Sequence, residues 1–254
     1  MTQKDPVIQI RQLHYSVGGR CILEGIDLDI YQGEIFAVMG LSGTGKTTLL
    51  RLITGLIRPD SGSISVLGQE ITRLDEKGLS KIRERMGLVF QYGALFDSLT
   101  VRENVGFRLY EGTNLPDAKI RPTVAEKLRL VGMSGSEDLF PAELSGGMQK
   151  RVGIARALVS DPVVLLYDEP TSGLDPVIAA TIDELIVSLR NELGVSEVIV
   201  SHDVSSIQRM ADRMALLYNG HVQLVGTAKD FHDSQDPVVR QFMEGSTSGP
   251  IEVV

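Results

Sequence analysis

A glycine-rich segment constrains the fold of this chain more than any other, and it reads Gly40-Leu41-Ser42-Gly43-Thr44-Gly45-Lys46-Thr47, followed by Thr48. It lies between an apolar run at 35–39, typical of a buried strand, and a helical pattern from Thr47 that Gly55 can end. Its glycines permit backbone torsions that turn successive N–H groups inward around phosphate oxygens. Lys46 would add a positive charge for the outer phosphates, and the Thr47 hydroxyl would ligate Mg2+. The order of strand, loop and helix therefore predicts a nucleotide site in an α/β fold; an ordinary glycine turn is the alternative.

A second apolar run, 163–167, ends in two carboxylates, Asp168 and Glu169. Open parallel sheets place their ligand sites at the carboxyl ends of such strands. Adjacent side chains there point in different directions, so Asp168 can hold Mg2+ while Glu169 polarises a water as general base. A solvated acidic turn before Pro170 is the alternative, and the upstream phosphate loop favours the catalytic interpretation.

A second glycine turn follows the phosphate loop by about a hundred residues, and it reads Leu144-Ser145-Gly146-Gly147-Met148-Gln149. It immediately precedes a helical pattern over 148–160 with an apolar face. Bare N–H groups at the start of that helix would form another anion site.

With these motifs in place, the chain resembles the nucleotide-binding subunits of ABC transporters over nearly all of its length. Gln91, after the strand pattern at 86–90, matches the family's Q-loop glutamine, and 144–149 match the signature. His202 matches the switch histidine, although a strand-end histidine capped by Asp203 is the alternative for this residue alone. The family's D-loop is matched by Ser172, Gly173, Leu174 and Asp175.

The resemblance implies a P-loop NTPase fold of ABC type, with a RecA-like core, an antiparallel β subdomain and an inserted helical subdomain. It implies one ATPase domain over 7–245, with the helical subdomain at about 97–160. The stretch from Asp97 to about Phe140 reads as largely helical, broken at 112–114 and at Pro116. Strand and helix alternate again over 160–226, with helices at 176–193 and 204–211 and a hairpin that turns at Asn219-Gly220.

The resemblance also assigns roles in ATP hydrolysis. It implies that Glu169, His202 and Gln91 are catalytic, with Gln91 sensing Mg2+, and that the metal ligands are Thr47, Gln91 and Asp168. The signature would act in trans on ATP held by a second copy of the chain. Asp175 would communicate between the two copies across the dimer interface. One chain alone is therefore expected to be a poor ATPase.

The position at which the family usually stacks an aromatic residue on adenine departs from the family pattern in this chain. An aromatic residue usually precedes the glycine turn of the first sheet, but here Val17 precedes Gly18-Gly19. Tyr15 lies two residues earlier and on the same face if 7–17 form a strand. Tyr15 either stacks on the base or is an ordinary strand tyrosine.

Composition excludes several classes of function. The 25 basic and 33 acidic residues give a net charge of -8, which argues against a nucleic-acid partner. Cys21 is the single cysteine, so no internal disulfide forms and a reducing compartment is expected. No apolar run approaches the ~20 residues of a membrane helix, and residues 1–6 lack a signal-peptide core. We therefore expect that any function at a membrane is carried out through another chain, to which this one binds.

Two stretches resemble a narrower group, the ATPases that work with MCE-type lipid carriers, especially the Mla phospholipid-trafficking system of Gram-negative bacteria. They are residues 90–105, whose apolar side chains lie where a transporter ATPase docks its membrane partner, and residues 236–245. For Leu95 and Phe96 taken singly, a buried loop core is the alternative.

This resemblance implies a transmembrane permease, an MCE-type lipid-binding subunit and a small cytoplasmic STAS-like regulator as partners. It places the chain at the cytoplasmic face of the inner membrane. The alternatives are an ABC ATPase for another cargo and a non-transport ABC protein, which typically has two cassettes or a coiled-coil insert that this chain lacks.

The C-terminal segment, residues 246–254, reads as a linker with an apolar end. It either docks on the neighbouring ATPase or an accessory subunit, or it is a frayed terminus.

Overall fold

The computed structural model describes residues 5–91 and 93–251, in which strands and helices alternate. The strands are β1 (Pro6–Val17), β2 (Arg20–Tyr31), β3 (Ile35–Met39), β4 (Ser61–Val66), β5 (Gln69–Glu70), β6 (Met86–Val89), β7 (Val164–Asp168), β8 (Ser196–Ser201), β9 (Arg213–Tyr218) and β10 (His221–Gly226). The helices are α1 (Lys46–Ile53), α2 (Glu76–Arg83), α3 (Val101–Gly112), α4 (Asp117–Leu130), α5 (Gly146–Leu158), α6 (Pro176–Leu193), α7 (Val204–Met210), α8 (Ala228–His232) and α9 (Pro237–Glu244), with a 3-10 turn at Pro141–Glu143.

The chain divides into two compact units. One unit combines the residues up to 82 with those from 196 onward, and the other holds residues 83–195. The first unit carries the phosphate loop and His202. The second carries Gln91, the signature, the Asp168-Glu169 pair and the D-loop.

The first unit contains an antiparallel sheet in the order β2-β1-β4-β5. Its long strands bury branched apolar side chains on one face, with Ile8, Ile10 and Leu13 fully buried in β1. This pattern is expected for a sheet that packs one face on a core.

The same unit sets β10, β9, β3 and β8 side by side in that order. β3 is parallel to both β8 and β9, and all five of its residues are buried, as a central parallel strand requires. The predicted hairpin is present between β9 and β10. Asn219 and Gly220 both have positive φ, 48° and 79°, as a type I′ turn demands.

The second unit pairs β6 with β7 in parallel and contains α3 to α6. The predicted break in the helical stretch is confirmed, because α3 ends at Gly112 and α4 begins after Pro116. The expectation of helix up to Phe140 is wrong for the last ten residues. α4 ends at Leu130, and Gly132 and Gly135 follow with φ of 71° and 84°, a left-handed conformation that stops a helix.

Two helix starts differ from the sequence expectation, and one helix matches it. α1 begins at Lys46 rather than Thr47, and α5 begins at Gly146 rather than Met148 because Ser145 is its N-cap. α6 has the predicted bounds, since an aspartate caps its start and a left-handed glycine ends it.

The C-terminal segment folds back on α9 of its own chain as far as it is described. Ile251 is 5% exposed, and its backbone N–H donates to Gln241 Oε1 at 2.7 Å. Gln241 Nε2 donates to the carbonyls of Ile251 (3.1 Å) and Ser246 (3.2 Å), and the Tyr218 hydroxyl donates to the carbonyl of Pro250 (3.2 Å). Residues 252–254, and with them the rest of the predicted tail, lie outside the described part. Docking on a partner stays a prediction.

We expect deletion of residues 246–254 to lower the free energy of unfolding by about 1–3 kcal/mol, because the buried Gln241 amide loses its partners. If the segment also docks on a partner, the deletion weakens assembly with that partner. Thermal melting of the chain and size-exclusion chromatography of the complex measure the two effects. Gln241→Leu, which releases the segment but keeps it attached, is the control. Unchanged assembly in the deletion would rule out docking.

Candidate active site

The phosphate loop connects β3 to α1 through a backbone that side chains would obstruct. A Cβ atom added at Gly40 would lie 2.4 Å from the carbonyl oxygen of Leu217, so the loop passes directly against β9. Gly45, the N-cap of α1, has φ 101° and supplies no side-chain cap. A helix start of this kind suits an anion.

Lys46 is held inside the loop that it would serve. Its side chain is only 6% exposed, and Nζ donates to the carbonyls of Gly40 (2.9 Å) and Leu41 (3.0 Å). The Thr44 hydroxyl donates to the same Leu41 carbonyl at 2.9 Å. The ammonium is therefore placed at the loop before any nucleotide arrives. The other predicted phosphate-loop residues are exposed (Leu41, Ser42, Gly43) or half-buried (Thr44, Gly45, Thr47, Thr48).

Tyr15 lies close in the fold to the phosphate loop. It pairs with Leu23 of β2, and a Cβ at Gly45 would lie 3.0 Å from Leu23 Cδ2 and 3.0 Å from Ile22 Cγ2. Tyr15 is half-buried, whereas Val17 is 56% exposed, and the ladder shifts register on both sides of Tyr15. Contact of Tyr15 with adenine stays a prediction.

His202 follows β8 directly and is exposed. Its neighbour Asp203 caps α7 by accepting a hydrogen bond from Ser206 N at 3.1 Å. This cap fixes the start of α7 and, with it, the backbone next to His202. The role of His202 as a switch stays a prediction.

In the second unit, β7 delivers the acidic pair at its end. Asp168 is the last residue of the strand and half-buried, and Glu169 is 8% exposed. Glu169 has φ 49°, a left-handed conformation that is unfavourable for residues with a Cβ. Such strain persists where the surrounding structure holds it, and it concentrates at functional sites.

The Q-loop and D-loop residues contact each other within this unit. Gln91 Nε2 donates to Ser172 Oγ at 3.3 Å, a hydrogen bond that does not use the amide oxygen. Asp175 accepts hydrogen bonds from the backbone of Val177 (3.1 Å) and Ile178 (3.0 Å), so it caps α6. Of the other D-loop residues, Gly173 is exposed and Leu174 half-buried.

The signature turn begins α5, with its glycines inside the first helical turn. A Cβ at Gly147 would lie 2.7 Å from Ile178 Cγ2, so only glycine fits against α6 there. Ser145 Oγ accepts a hydrogen bond from Met148 N at 3.3 Å. The expectation of bare N–H groups is therefore wrong for Met148, because serine favours the N-cap position. Leu144 is buried, and Gln149 Nε2 donates to the carbonyl of Pro141 at 3.0 Å.

Sequence reasoning missed Lys150, directly after the signature. It is 6% exposed, and its ammonium donates to the backbone carbonyls of Gln91 and, at 3.3 Å, of Glu169. Burial lowers the pKa of Lys150, and the carboxylates of Glu169 and Asp168 oppose that shift. The signal was its spacing: Lys150 lies three residues after the packed Gly147, on the same side of the helix.

The family model for ABC transporters matches residues 23–172. The chain belongs to the ABC transporter family. It is therefore an ATPase of the ATP-binding cassette type, and residues 40–48, 91 and 144–149 lie inside the matched region.

Three relatives are similar over most of this cassette. A protein named as a probable ribonucleotide transport ATP-binding protein, from Mycobacterium leprae, is 43% identical, over 96% of this chain and 70% of its own length. The chloroplastic TRIGALACTOSYLDIACYLGLYCEROL 3 of Arabidopsis thaliana is 43% identical, over 97% and 76%. The intermembrane phospholipid transport ATP-binding protein MlaF of Escherichia coli K12 is 41% identical, over 96% and 91%.

Two solved structures confirm the predicted fold class. The structure of cbiO1 from Clostridium perfringens, described as part of the ABC transporter complex cbiONQ, superposes with a TM-score of 0.84 at 34% identity, over 94% of this chain and 95% of that one. A dimeric post-hydrolysis cassette, MJ0796 bound to ADP and Pi, superposes with a TM-score of 0.78 at 32% identity, over 87% and 98%. No helix within the described ranges has the length and apolar character needed to cross a membrane.

Proposed function

We propose that this ABC ATPase is the ATP-hydrolysing subunit of a transporter that drives phospholipid trafficking between the inner and outer membranes of a Gram-negative bacterium. The observation that carries the proposal is the similarity to MlaF, which covers 96% of this chain and 91% of MlaF. The relative named for ribonucleotide transport is as similar in identity but is matched over only 70% of its length. Transport of another cargo is the second candidate.

The residues of the site support ATP hydrolysis with divided roles. Lys46 and the start of α1 bind the phosphates, and the buried Glu169 acts as the general base that activates water. His202 contacts the terminal phosphate, and Tyr15 stacks on adenine. The carbonyls of Gly40 and Leu41 hold the ammonium of Lys46 inside the phosphate loop, which supports its proposed role in phosphate binding.

The donor chemistry fits Mg2+, which prefers oxygen ligands and keeps several waters. Thr47 offers a hydroxyl, Asp168 a carboxylate, and Gln91 an amide oxygen that its hydrogen bond to Ser172 does not use. When bound, Mg2+ neutralises part of the negative charge on the phosphates. In this proposal Gln91 links the bound metal to the loop that comes after Gln91 in the sequence.

A second copy of the chain completes the site. ABC cassettes dimerise, as the dimeric MJ0796 structures illustrate. We propose that the signature of one copy, at the start of α5, binds the ATP held by the other and that Asp175 lies at the seam. Val177 and Ile178, 73% and 38% exposed at the start of α6, supply apolar surface beside that seam.

A groove in the second unit is the proposed docking site for the transmembrane permease. Phe90, Phe96 and Phe107 line it and are 43%, 45% and 36% exposed. The rings of Phe96 and Phe107 lie 4.6 Å apart, centroid to centroid. Exposed aromatic residues grouped in one patch mark an interaction surface in soluble proteins.

The loop that presents Phe96 is organised by the fully buried Asn104. Asn104 Nδ2 donates to the carbonyls of Phe96 (3.1 Å), Leu99 (3.0 Å) and Thr100 (3.0 Å), and Oδ1 accepts from Phe96 N (2.8 Å). The blander interpretation of Phe96 as loop core does not fit its 45% exposure. Tyr92, within the block 90–105, lies outside the described residues.

In the proposed complex, residues 7–245 form the ATPase domain and about 97–160 its helical subdomain. The partners are the permease, an MCE-type lipid-binding subunit and a small STAS-like regulator. The chain would sit at the cytoplasmic face of the inner membrane, bound peripherally through the permease.

The cargo is tested with the whole transporter, purified with its membrane partners and reconstituted in lipid nanodiscs. We expect phospholipid delivered to the complex to raise ATPase turnover and ribonucleotides other than ATP to leave it unchanged. Phe96→Glu, which places a charge in the docking groove, is expected to lose the permease and the lipid response while it still binds ATP. Stimulation by ribonucleotides other than ATP, and not by phospholipid, would contradict the lipid assignment and favour the second candidate.

A further inference from the structure

Lys150 of α5 is a buried cation with an unusual pair of acceptors. It is 6% exposed, and its two hydrogen bonds go to backbone carbonyls of two different catalytic segments, Gln91 and Glu169. Burial of an ammonium group is costly unless hydrogen bonds and nearby opposite charges compensate it. An apolar side chain of similar length would fill the same space without that cost, so packing alone does not explain a lysine here.

The carbonyl of Glu169 belongs to a backbone in an unfavourable conformation. With φ at 49°, Glu169 needs external contacts to keep its conformation. The hydrogen bond from Lys150 Nζ to the Glu169 carbonyl, 3.3 Å long, is such a contact. The direction of the Glu169 carboxylate depends on this backbone, because side-chain rotamers follow φ and ψ.

The same face of α5 also contacts Gly93 and Ala94, in the loop after Gln91. Gly153 lies against Gly93, where an added Cβ would meet the Gly93 Cα at 3.4 Å. Arg156 donates to the carbonyls of Gly93 (2.8 Å) and Ala94 (2.6 Å). Residues 150, 153 and 156 recur at helical spacing, so one strip of α5 contacts Gln91, Gly93 and Ala94.

We propose that Lys150 is a positioning residue for ATP hydrolysis, which ties the signature helix to the backbone of both Gln91 and Glu169 in the same subunit. A displacement of α5 is then transmitted to the general base and to the sensing loop together. The inference rests on the proposed roles of Glu169 and Gln91. It adds Lys150 as the residue that links these two catalytic segments to the signature helix.

The test is a kinetic comparison on the full chain in its transporter complex. Lys150→Met keeps the length of the side chain but removes its donors. We expect kcat for ATP to fall about 10- to 100-fold, the range expected when a catalytic group is displaced by about 1 Å. We expect KM for ATP to stay unchanged, because Lys150 belongs to the catalytic segments rather than to the phosphate loop. Lys150→Gln and Lys150→Arg, which keep N–H donors, should each recover part of the lost turnover.

Lys127→Met is the matched control. Lys127 is 4% exposed in the same unit, and its Nζ lies 2.6 Å from Asp161 Oδ1, outside the proposed catalytic residues. Both methionine variants lose a buried lysine, so their melting temperatures report the structural loss that they share. A kcat loss in Lys150→Met alone supports the proposal.

Two outcomes overturn it. One is a wild-type kcat in Lys150→Met, and the other is an equal kcat loss in Lys150→Met and Lys127→Met. Glu169→Gln, measured in parallel, separates the inference from the proposed function. If Glu169→Gln is inactive and Lys150→Met is normal, only the positioning role fails; if Glu169→Gln retains turnover, the assignment of the base fails and the inference fails with it.

Discussion

Glu169→Gln is expected to bind ATP normally and to hydrolyse almost none of it. The substitution keeps the shape of the side chain and leaves the backbone carbonyl that accepts from Lys150 in place. It removes the basic carboxylate, and loss of a general base typically lowers the rate about 10²- to 10⁴-fold. With ATP bound and not consumed, two copies are expected to stay closed around the nucleotide.

Three measurements check this expectation on the same preparation. Single-turnover kinetics report the chemical step, equilibrium binding of ATP reports affinity, and light scattering reports the dimer. Glu126→Gln, the same substitution on α4 with a side chain 57% exposed, should behave as the wild type in all three. Substantial turnover by Glu169→Gln would mean that the general base lies elsewhere.

Local sequence signals predicted the parts of the fold that local chemistry decides. α6 was predicted residue for residue because Asp175 caps it, Pro176 begins it and Gly194 ends it with φ 66°. The hairpin at Asn219-Gly220 was predicted for the same kind of reason. In both cases the deciding residues are neighbours in the sequence.

The misses come from residues whose role is set by distant partners. Gly146 and Gly147 were predicted to precede the helix, but they lie inside its first turn, where α6 leaves no room for a side chain at Gly147. Lys150 escaped because its acceptors, Gln91 and Glu169, are 59 and 19 residues away. One miss is local: the prediction of bare N–H groups overlooked that Ser145 can cap the helix by accepting a hydrogen bond from Met148 N.

Lys46→Ala is expected to weaken ATP binding, whereas Glu169→Gln is expected to slow the hydrolysis step. A hydrogen bond to a charged group is worth about 1.5–3 kcal/mol, so the dissociation constant for ATP should rise about 10- to 150-fold. Isothermal titration with ATP measures this in the chain alone, because no dimer is required for it.

The structure gives a reason to expect that Lys46→Ala weakens ATP binding by an amount near the upper end of the range of about 10- to 150-fold. Lys46 Nζ bonds to the carbonyls of Gly40 and Leu41, so alanine removes both the charge and a brace that holds the loop closed on itself. Thr44→Val removes only the neutral 2.9 Å hydrogen bond to Leu41 in the same loop, and it should weaken ATP binding less. An equal loss in the two variants would assign the effect to loop geometry rather than to the ammonium. Normal affinity in Lys46→Ala would mean that the backbone N–H groups of α1 bind the phosphates unaided.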